Sequence, residues 1–413
     1  MAIYYLSNNG NDNNNGLSPE SPFKTIGKLN EIICGGDTAR FKCGDTFYGR
    51  ILPPDSNTSA TPTTYESYGD GAKPIVSQYK KANKGAWDSV ANNVWRLDLK
   101  DVTKFTGNVL NLDTNVGFIK ASGVIHAVNA FSLDGLQKDW DFYSDDQYLY
   151  VKLSICPDEA SDEILIACNI HHVCFQDNIK VDSITFCGGG AHGIAGVVHG
   201  AHILNCEFHE IGGSILPGYP TKNTRYGNGV ECWTDSSDVL VENCKFSNIY
   251  DVAMTMQGRP AEKGWINITF RNNVVWNCQQ AFEIWSGGNE PDTGFKNCVF
   301  ENNICLHSGY SWSYDVRPNT EVSSHLLIYG LECPVCDVKV RNNTFYNART
   351  FQIYKSGGMT KLPYDYVMEN NTFITTPEKQ FANAGMDNDE YQRRILANNS
   401  VITTCDPFTM KYE

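Results

Sequence analysis

Residues 268–285 read ITFRNNVVWNCQQAFEIW. An alternating stretch runs into an Asn pair, then into a short apolar stretch, a second Asn, and a further alternating stretch. Ile, Phe, Val and Trp suit pleated strands, successive strand side chains point to opposite faces, and nothing recurs at the 3.6-residue helical period. The segment reads as strands joined by tight Asn corners. It is too short to bury a core alone.

The same pattern recurs along the chain as VLVENC (239–244), ITFRNN (268–273), CVFENN (298–303), VKVRNN (338–343), YVMENN (366–371) and RILANN (394–399), with HILNC (202–206) as a shorter relative. The first Asn of each, at 205, 243, 272, 302, 342, 370 and 398, is spaced by 38, 29, 30, 40, 28 and 28 residues. A base period near 28–30 with two insertions predicts stacked units that share one core. Ankyrin and tetratricopeptide repeats have similar periods but are helix pairs, and propeller blades need four strands per unit. One coil of parallel strands per unit fits best. Asn at the same corner of every coil tolerates left-handed backbone and is expected to form a hydrogen-bonded ladder. The preceding residues Glu242, Arg271, Glu301, Arg341 and Glu369 alternate in sign, so neighbouring coils are expected to pair opposite charges.

The opening YYLSNNGNDNNNGLSPESPFKTIGKLN (4–30), followed by GDTARFKCGDTFYGRI (36–51), resembles the entry segment of right-handed parallel β-helix proteins of the pectate-lyase-like superfamily. The resemblance implies an all-β fold, a right-handed parallel β-helix, and a carbohydrate-related role. It does not imply a reaction, because hydrolases, lyases, epimerases and tailspikes share the architecture. Residues 84–160 depart from the coil pattern: NNVWRLDL, NVLNLDT, VGFIKASGVI and DWDFYSDDQYLYVKLS read as antiparallel strands with polar turns. The expected organisation is an entry segment with first coils (1–83), an inserted β-rich subdomain (84–160) and the main coils (161–413).

Composition narrows the function classes. A net charge of −14 argues against binding nucleic-acid phosphates by bulk attraction, and no apolar run is long enough for a membrane span. The start MAIYYLSNNG lacks the basic-then-apolar order of a signal peptide. Fifteen cysteines, an odd number set in strand-like stretches such as ILNCEF and VENCKF, are expected to be reduced, buried thiols. Reduced thiols favour the cytoplasm, and an exported mature form stays open. Cys333 and Cys336 form a lone CPVC, expected to be a packed turn and not a metal site.

Aligning NGVECW (228–233), DVAMTMQ (251–257) and QAFEIW (280–285) by their apolar positions puts Val230, Cys232, Val252, Met254, Met256, Phe282 and Ile284 inward. Three outward columns follow: Gly229, Ala253 and Ala281 as a low floor; Glu231, Thr255 and Glu283; and Trp233, Gln257 and Trp285. Asp251 falls on the outward parity at a corner. Carboxylates beside outward tryptophans suit a saccharide groove, since aromatic faces pack on sugar C–H surfaces and carboxylates and amides bind hydroxyls. The next unit is taken as TFQIYK (350–355), where Gln352 and Tyr354 end the acidic column.

Strands about 4.8 Å apart place Glu231 and Glu283 roughly 9–10 Å apart at Cα. That suits an inverting glycosidase, whereas Asp251 with either glutamate could approach the shorter retaining distance. The expected catalytic set is Glu283, Glu231 and Asp251. Expected substrate contacts are Trp233, Trp285, Gln257 and Thr255, with Arg225 and Tyr226 from YPTKNTRYGN (219–228) and Arg317 from GYSWSYDVRPN (309–319), which also offers Trp312 and Asp315. His192, His199, His202 and His209 match no zinc spacing and are expected in surface or corner roles. A hydrolase needs no cofactor. The alternatives are a uronate lyase using Arg225, Tyr226, Arg259, Lys263 or Arg317, with Ca²⁺ as a possible helper, and a non-catalytic glycan-binding protein, which the absence of trimerising heptads disfavours.

Overall fold

The structure is a computed structural model. It describes residues 1–413 apart from 56–58, 104–113, 219–223, 260–262, 288–291, 319–321, 357–364, 380, 384–387 and 405–413; most of the stretch NVLNLDT therefore lies outside the described residues. Repetition of the strand–corner unit produces three parallel sheets, two of ten strands and one of seven. Each unit contributes one strand to each sheet in the same order. Ser237–Glu242, Lys245–Ile249 and Val252–Gly258 form one rung, and Trp265–Arg271, Val274–Trp276 and Gln280–Ser286 pair directly above them. The chain is predominantly β, with a solenoid-like order of rungs and smaller antiparallel sheets.

Alternation along each strand fills the space between the sheets. Phe186, Phe208 and Phe246 stack from rung to rung at centroid distances of 5.1 and 4.9 Å, continuous with Val275, Cys305 and Phe345. At one end Ile26 and Leu29 of the helix Ile26–Ile32 join this core. At the other, RILANN is not a further strand, contrary to expectation. Its first five residues lie in the helix Asn388–Asn398, whose Ile395 joins the core.

The Asn pair divides its labour. The first Asn bends the backbone into the left-handed region, with φ between 54° and 58° at Asn205, Asn243, Asn272, Asn302, Asn342 and Asn370. The second forms the ladder: Asn273, Asn303, Asn343, Asn371 and Asn399 are linked in sequence by amide bonds of 2.8–3.0 Å. Where the second residue is Cys206 or Cys244, the ladder is replaced by buried thiols. The charged positions pair as expected for Glu242 with Arg271 (2.7 Å) and Glu301 with Arg341 (2.8 Å). The fourteen described cysteines are free. Cys333 and Cys336 are buried, and the Cys333 Sγ accepts from Ser286.

The insertions all leave the rungs at one corner, between the second and third sheets. The antiparallel strands from Tyr79–Ala82 to Ile164–Cys168 lie between Ile75–Ser77 and Val173–Cys174 and form a five-stranded and a four-stranded sheet. The pair Ser214–Ile215 and Arg225–Tyr226 lies between Glu207–Ile211 and Val230–Trp233. The segment around Trp312 lies between Ile304–Leu306 and Ser324–Tyr329. Corners that stack bring insertions together. Phe118 of the first contacts Trp312 of the third at 5.0 Å, and Arg225 of the second donates to carbonyls of all three: Gly117 (2.6 Å), Ala127 (3.0 Å), Gly213 (2.6 Å) and Val316 (3.1 Å).

Candidate active site

The third sheet presents the acidic column. Glu231, Thr255 and Glu283 are in register on three neighbouring strands, as are Trp233, Gln257 and Trp285. The residues alternating with them, Val230, Cys232, Met254, Met256, Phe282 and Ile284, belong to the core. The supposed floor is different. Ala253 and Ala281 also join the core, and a Cβ at Gly229 would lie 2.7 Å from the Phe246 ring. These three residues face inward because the strand is still turning the corner there, so simple alternation fails at its first residues. TFQIYK is likewise not the next rung. Ser324–Tyr329 intervenes and places Leu327 beside Glu283 and Tyr329 beside Trp285. The insertion before that strand hid it.

Outward does not mean exposed here. Glu283 is 8% exposed, and Glu231 and Thr255 are buried as well. Arg317 comes down from the third insertion, and its Nη1 donates to Asp251 Oδ1 at 2.8 Å. It also lies over the Tyr250 ring, as Arg225 does. Burial works against the Arg317 charge, but Asp251, Tyr250 and Glu283 together outweigh it and keep the guanidinium firmly charged.

The two glutamates have opposite electrostatic settings. Burial and the nearby Asp251 charge push the Glu283 carboxyl up to about 8, against weaker opposition from Thr255 and Arg317. Burial acts the same way on Glu231, but contacts with His192, Asn228 and Gln257 prevail and hold it below the ordinary glutamate value. Glu231 Oε2 accepts from Asn228 Nδ2 at 2.7 Å and lies 3.0 Å from His192 Nδ1. The same Nδ1 lies 2.9 Å from the backbone N–H of Asn228, and one ring nitrogen serves only one of these neighbours. The backbone N–H of Asn228 donates to Nδ1, which is the acceptor of that bond.

His192 thus departs from the expected surface or corner role. It is buried, stacked on His171 and edge-on to Tyr226, whose hydroxyl donates to Asn169. Burial and the neighbouring imidazole push His171 down to about 3, leaving it neutral. His199 is exposed against Asp177, and His202 is exposed. No sequence spacing links His192 to Glu231, because they come from different rungs. Arg225, expected to meet substrate, is buried and occupied by backbone carbonyls. Trp312 packs on Phe118 and Tyr250, and Asp315 pairs with Arg349. Tyr329 was missed with its strand. It extends the aromatic row, with centroids 6.2 Å apart from Trp233 to Trp285 and again from Trp285 to Tyr329. Trp233 and Tyr329 are 37% and 47% exposed, so the row forms an open rim beside the buried acids. Lys263 and Arg259 are exposed. Among the described residues no group of three or more His, Cys, Asp or Glu side chains could hold a metal ion.

No protein-family model and no curated protein matches this sequence. Among solved structures the chain resembles a GH136 lacto-N-biosidase from Eubacterium ramulus at 14% identity, covering 98% of this chain and 68% of that one, with a TM-score of 0.53. It also resembles XylC solved with xylose (12% identity, 97% and 82% covered, TM-score 0.48) and a rhamnogalacturonan lyase (12%, 97% and 87%, TM-score 0.40). At these identities the likeness is one of fold, a β-rich architecture also used by carbohydrate-active enzymes.

Proposed function

We propose that this protein is a glycoside hydrolase acting on an oligo- or polysaccharide, with its rungs closed as a right-handed parallel β-helix, the hand that strand–crossover–parallel strand connections nearly always take. One observation carries the reading. Two carboxyl groups in one column, Glu231 and Glu283, have environments that drive their protonation apart, which is how acid and base roles are divided in such sites. Glu283, protonated at neutral pH, gives its proton to the glycosidic oxygen as the bond breaks. Glu231, ionised, takes a proton from the attacking water. Asp251 is bonded to Arg317 and acts by raising Glu283, so the working pair is Glu231 and Glu283. A separation of roughly 9–10 Å at Cα favours inversion over the shorter retaining distance. Trp233, Trp285 and Tyr329 supply faces for the sugar rings.

A uronate lyase has less support. Of its candidate cations, Arg225 serves the backbone and Arg317 serves Asp251, which leaves only Arg259 and Lys263, on the exposed surface, to neutralise a carboxylate. The test is a screen of purified protein against chromogenic glycosides and uronate polysaccharides. Released chromophore or reducing sugar without unsaturated product is expected, and an unsaturated product would replace hydrolysis with elimination.

A further inference from the structure

Asn228 stands two residues before the strand Val230–Trp233 that carries Glu231, and its hydrogen bonds tie three rungs together. Its carbonyl accepts from the Gly193 N–H of the preceding rung at 2.8 Å, and its own N–H donates to His192 Nδ1 at 2.9 Å. Its Oδ1 accepts from the Val252 N–H of the following rung at 3.0 Å. Its Nδ2 donates to Glu231 Oε2 at 2.7 Å. With a backbone N–H held against Oδ1, the amide cannot turn over, because turning would set donor against donor at Val252 and acceptor against acceptor at Glu231. Asn228 is 2% exposed, so this donor is fixed on the carboxylate and not offered to solvent. His192 cannot take its place while neutral. Its Nδ1 lies 3.0 Å from Glu231 Oε2, but the Asn228 N–H fills that lone pair, so the neutral ring carries its hydrogen on Nε2. Two acceptors thus stand side by side, and Asn228 serves each with a separate N–H.

We infer that Asn228 is a positioning residue: its amide, locked in one orientation by Val252, holds the Glu231 carboxylate in place and ionised, ready to act as the base. The inference rests on the hydrolase reading for its catalytic meaning, but the hold on Glu231 exists or fails without substrate. A donor that cannot reorient favours the charged carboxylate over the acid, since a protonated Oε2 would meet the Nδ2 hydrogen with its own.

The test compares Asn228→Asp with Asn228→Leu. The first keeps the size and the acceptor for Val252 but puts a second carboxyl where the donor stood, so the pair retains a shared proton. The second keeps the volume and removes both polar ends. The acid limb of kcat/KM should move up by about one pH unit in Asn228→Leu and by about two or more in Asn228→Asp, with the alkaline limb in place. A merely structural Asn228 predicts otherwise: Asn228→Asp would resemble the parent, Asn228→Leu would lose only melting temperature, and acid limbs unmoved in both would overturn the inference. Asn228→Asp, which spares the Val252 bond, decides the matter if Asn228→Leu does not fold. Should the parent show no glycosidase activity, the ionisation of Glu231 is still read from the difference in melting temperature between each background and its Glu231→Gln derivative. Glu231 sits below its ordinary 4.5 in the fold, so the parent should gain on its derivative as pH rises through the acid range. That gain should shrink in the Asn228→Leu background and reverse to a loss in the Asn228→Asp background. An undiminished gain in both refutes the hold on Glu231 whatever the protein's activity.

Discussion

Replacing Glu283 by Gln should make the protein more stable, by an amount that grows with pH. In the folded chain the carboxyl is raised to about 8 from an ordinary 4.5, chiefly by burial and by Asp251. Below about pH 4.5 the group is neutral in folded and unfolded states, and its burial is uncharged. As pH rises toward 8 the unfolded chain ionises freely while the folded chain resists, so the parent loses stability throughout that window. At roughly 1.4 kcal/mol per pH unit the accumulated loss is on the order of 4–5 kcal/mol, and it levels off above the folded value. The substituted amide does not titrate and escapes this loss. Unfolding entropies near 2.1 cal/mol/K per residue give roughly 0.9 kcal/mol per degree for a chain of this length, so the variant's Tm should gain about 5 °C on the parent between about pH 4 and 8.5. The measurement is a pair of melting series over that range, in which other titrating groups cancel. Parallel curves would mean that Glu283 ionises normally in the fold, and its role as proton donor at neutral pH would be lost.

On whichever glycan the screen identifies, Glu283→Gln should lower kcat by about 10²–10⁴-fold with little change in KM, as loss of general acid catalysis does. Trp285→Ala should instead raise KM first, because it removes an aromatic face; a loss confined to kcat would contradict that role. Arg225→Met leaves four backbone carbonyls without their donor and should cost at least about 3–5 kcal/mol, lowering Tm by several degrees and exposing the inserted strands to protease. An unchanged Tm with a raised KM would return Arg225 to substrate binding. Asn343→Ala, which interrupts the buried ladder, should cost about 1–3 kcal/mol and more than Asn342→Ala, whose main effect is strain at a φ of 57°; equal melting losses would count against the division of labour within the pair.

The stacked rungs were legible in the chain because their cause is local and periodic. ITFRNN and its relatives repeat the same alternation and corner, and a stack of similar units repeats the same contacts at each step. The outward parity of Glu231, Thr255 and Glu283 followed from apolar neighbours one residue away. Where local rules met a corner or an insertion they failed. Ala253 and Ala281 turn inward, Ser324–Tyr329 was hidden behind a long connection, and RILANN became a capping helix while Asn399 kept its place in the ladder. The site's chemistry was decided later still, by residues distant in sequence. His192 reaches Glu231 across 39 positions, Arg317 reaches Asp251 across 66, and Arg225 gathers carbonyls from three insertions. Burial acts alike on the two glutamates, and their different partners separate them electrostatically. A carboxyl's protonation depends on the water and charge around it in three dimensions, and that environment has no period for a sequence to display.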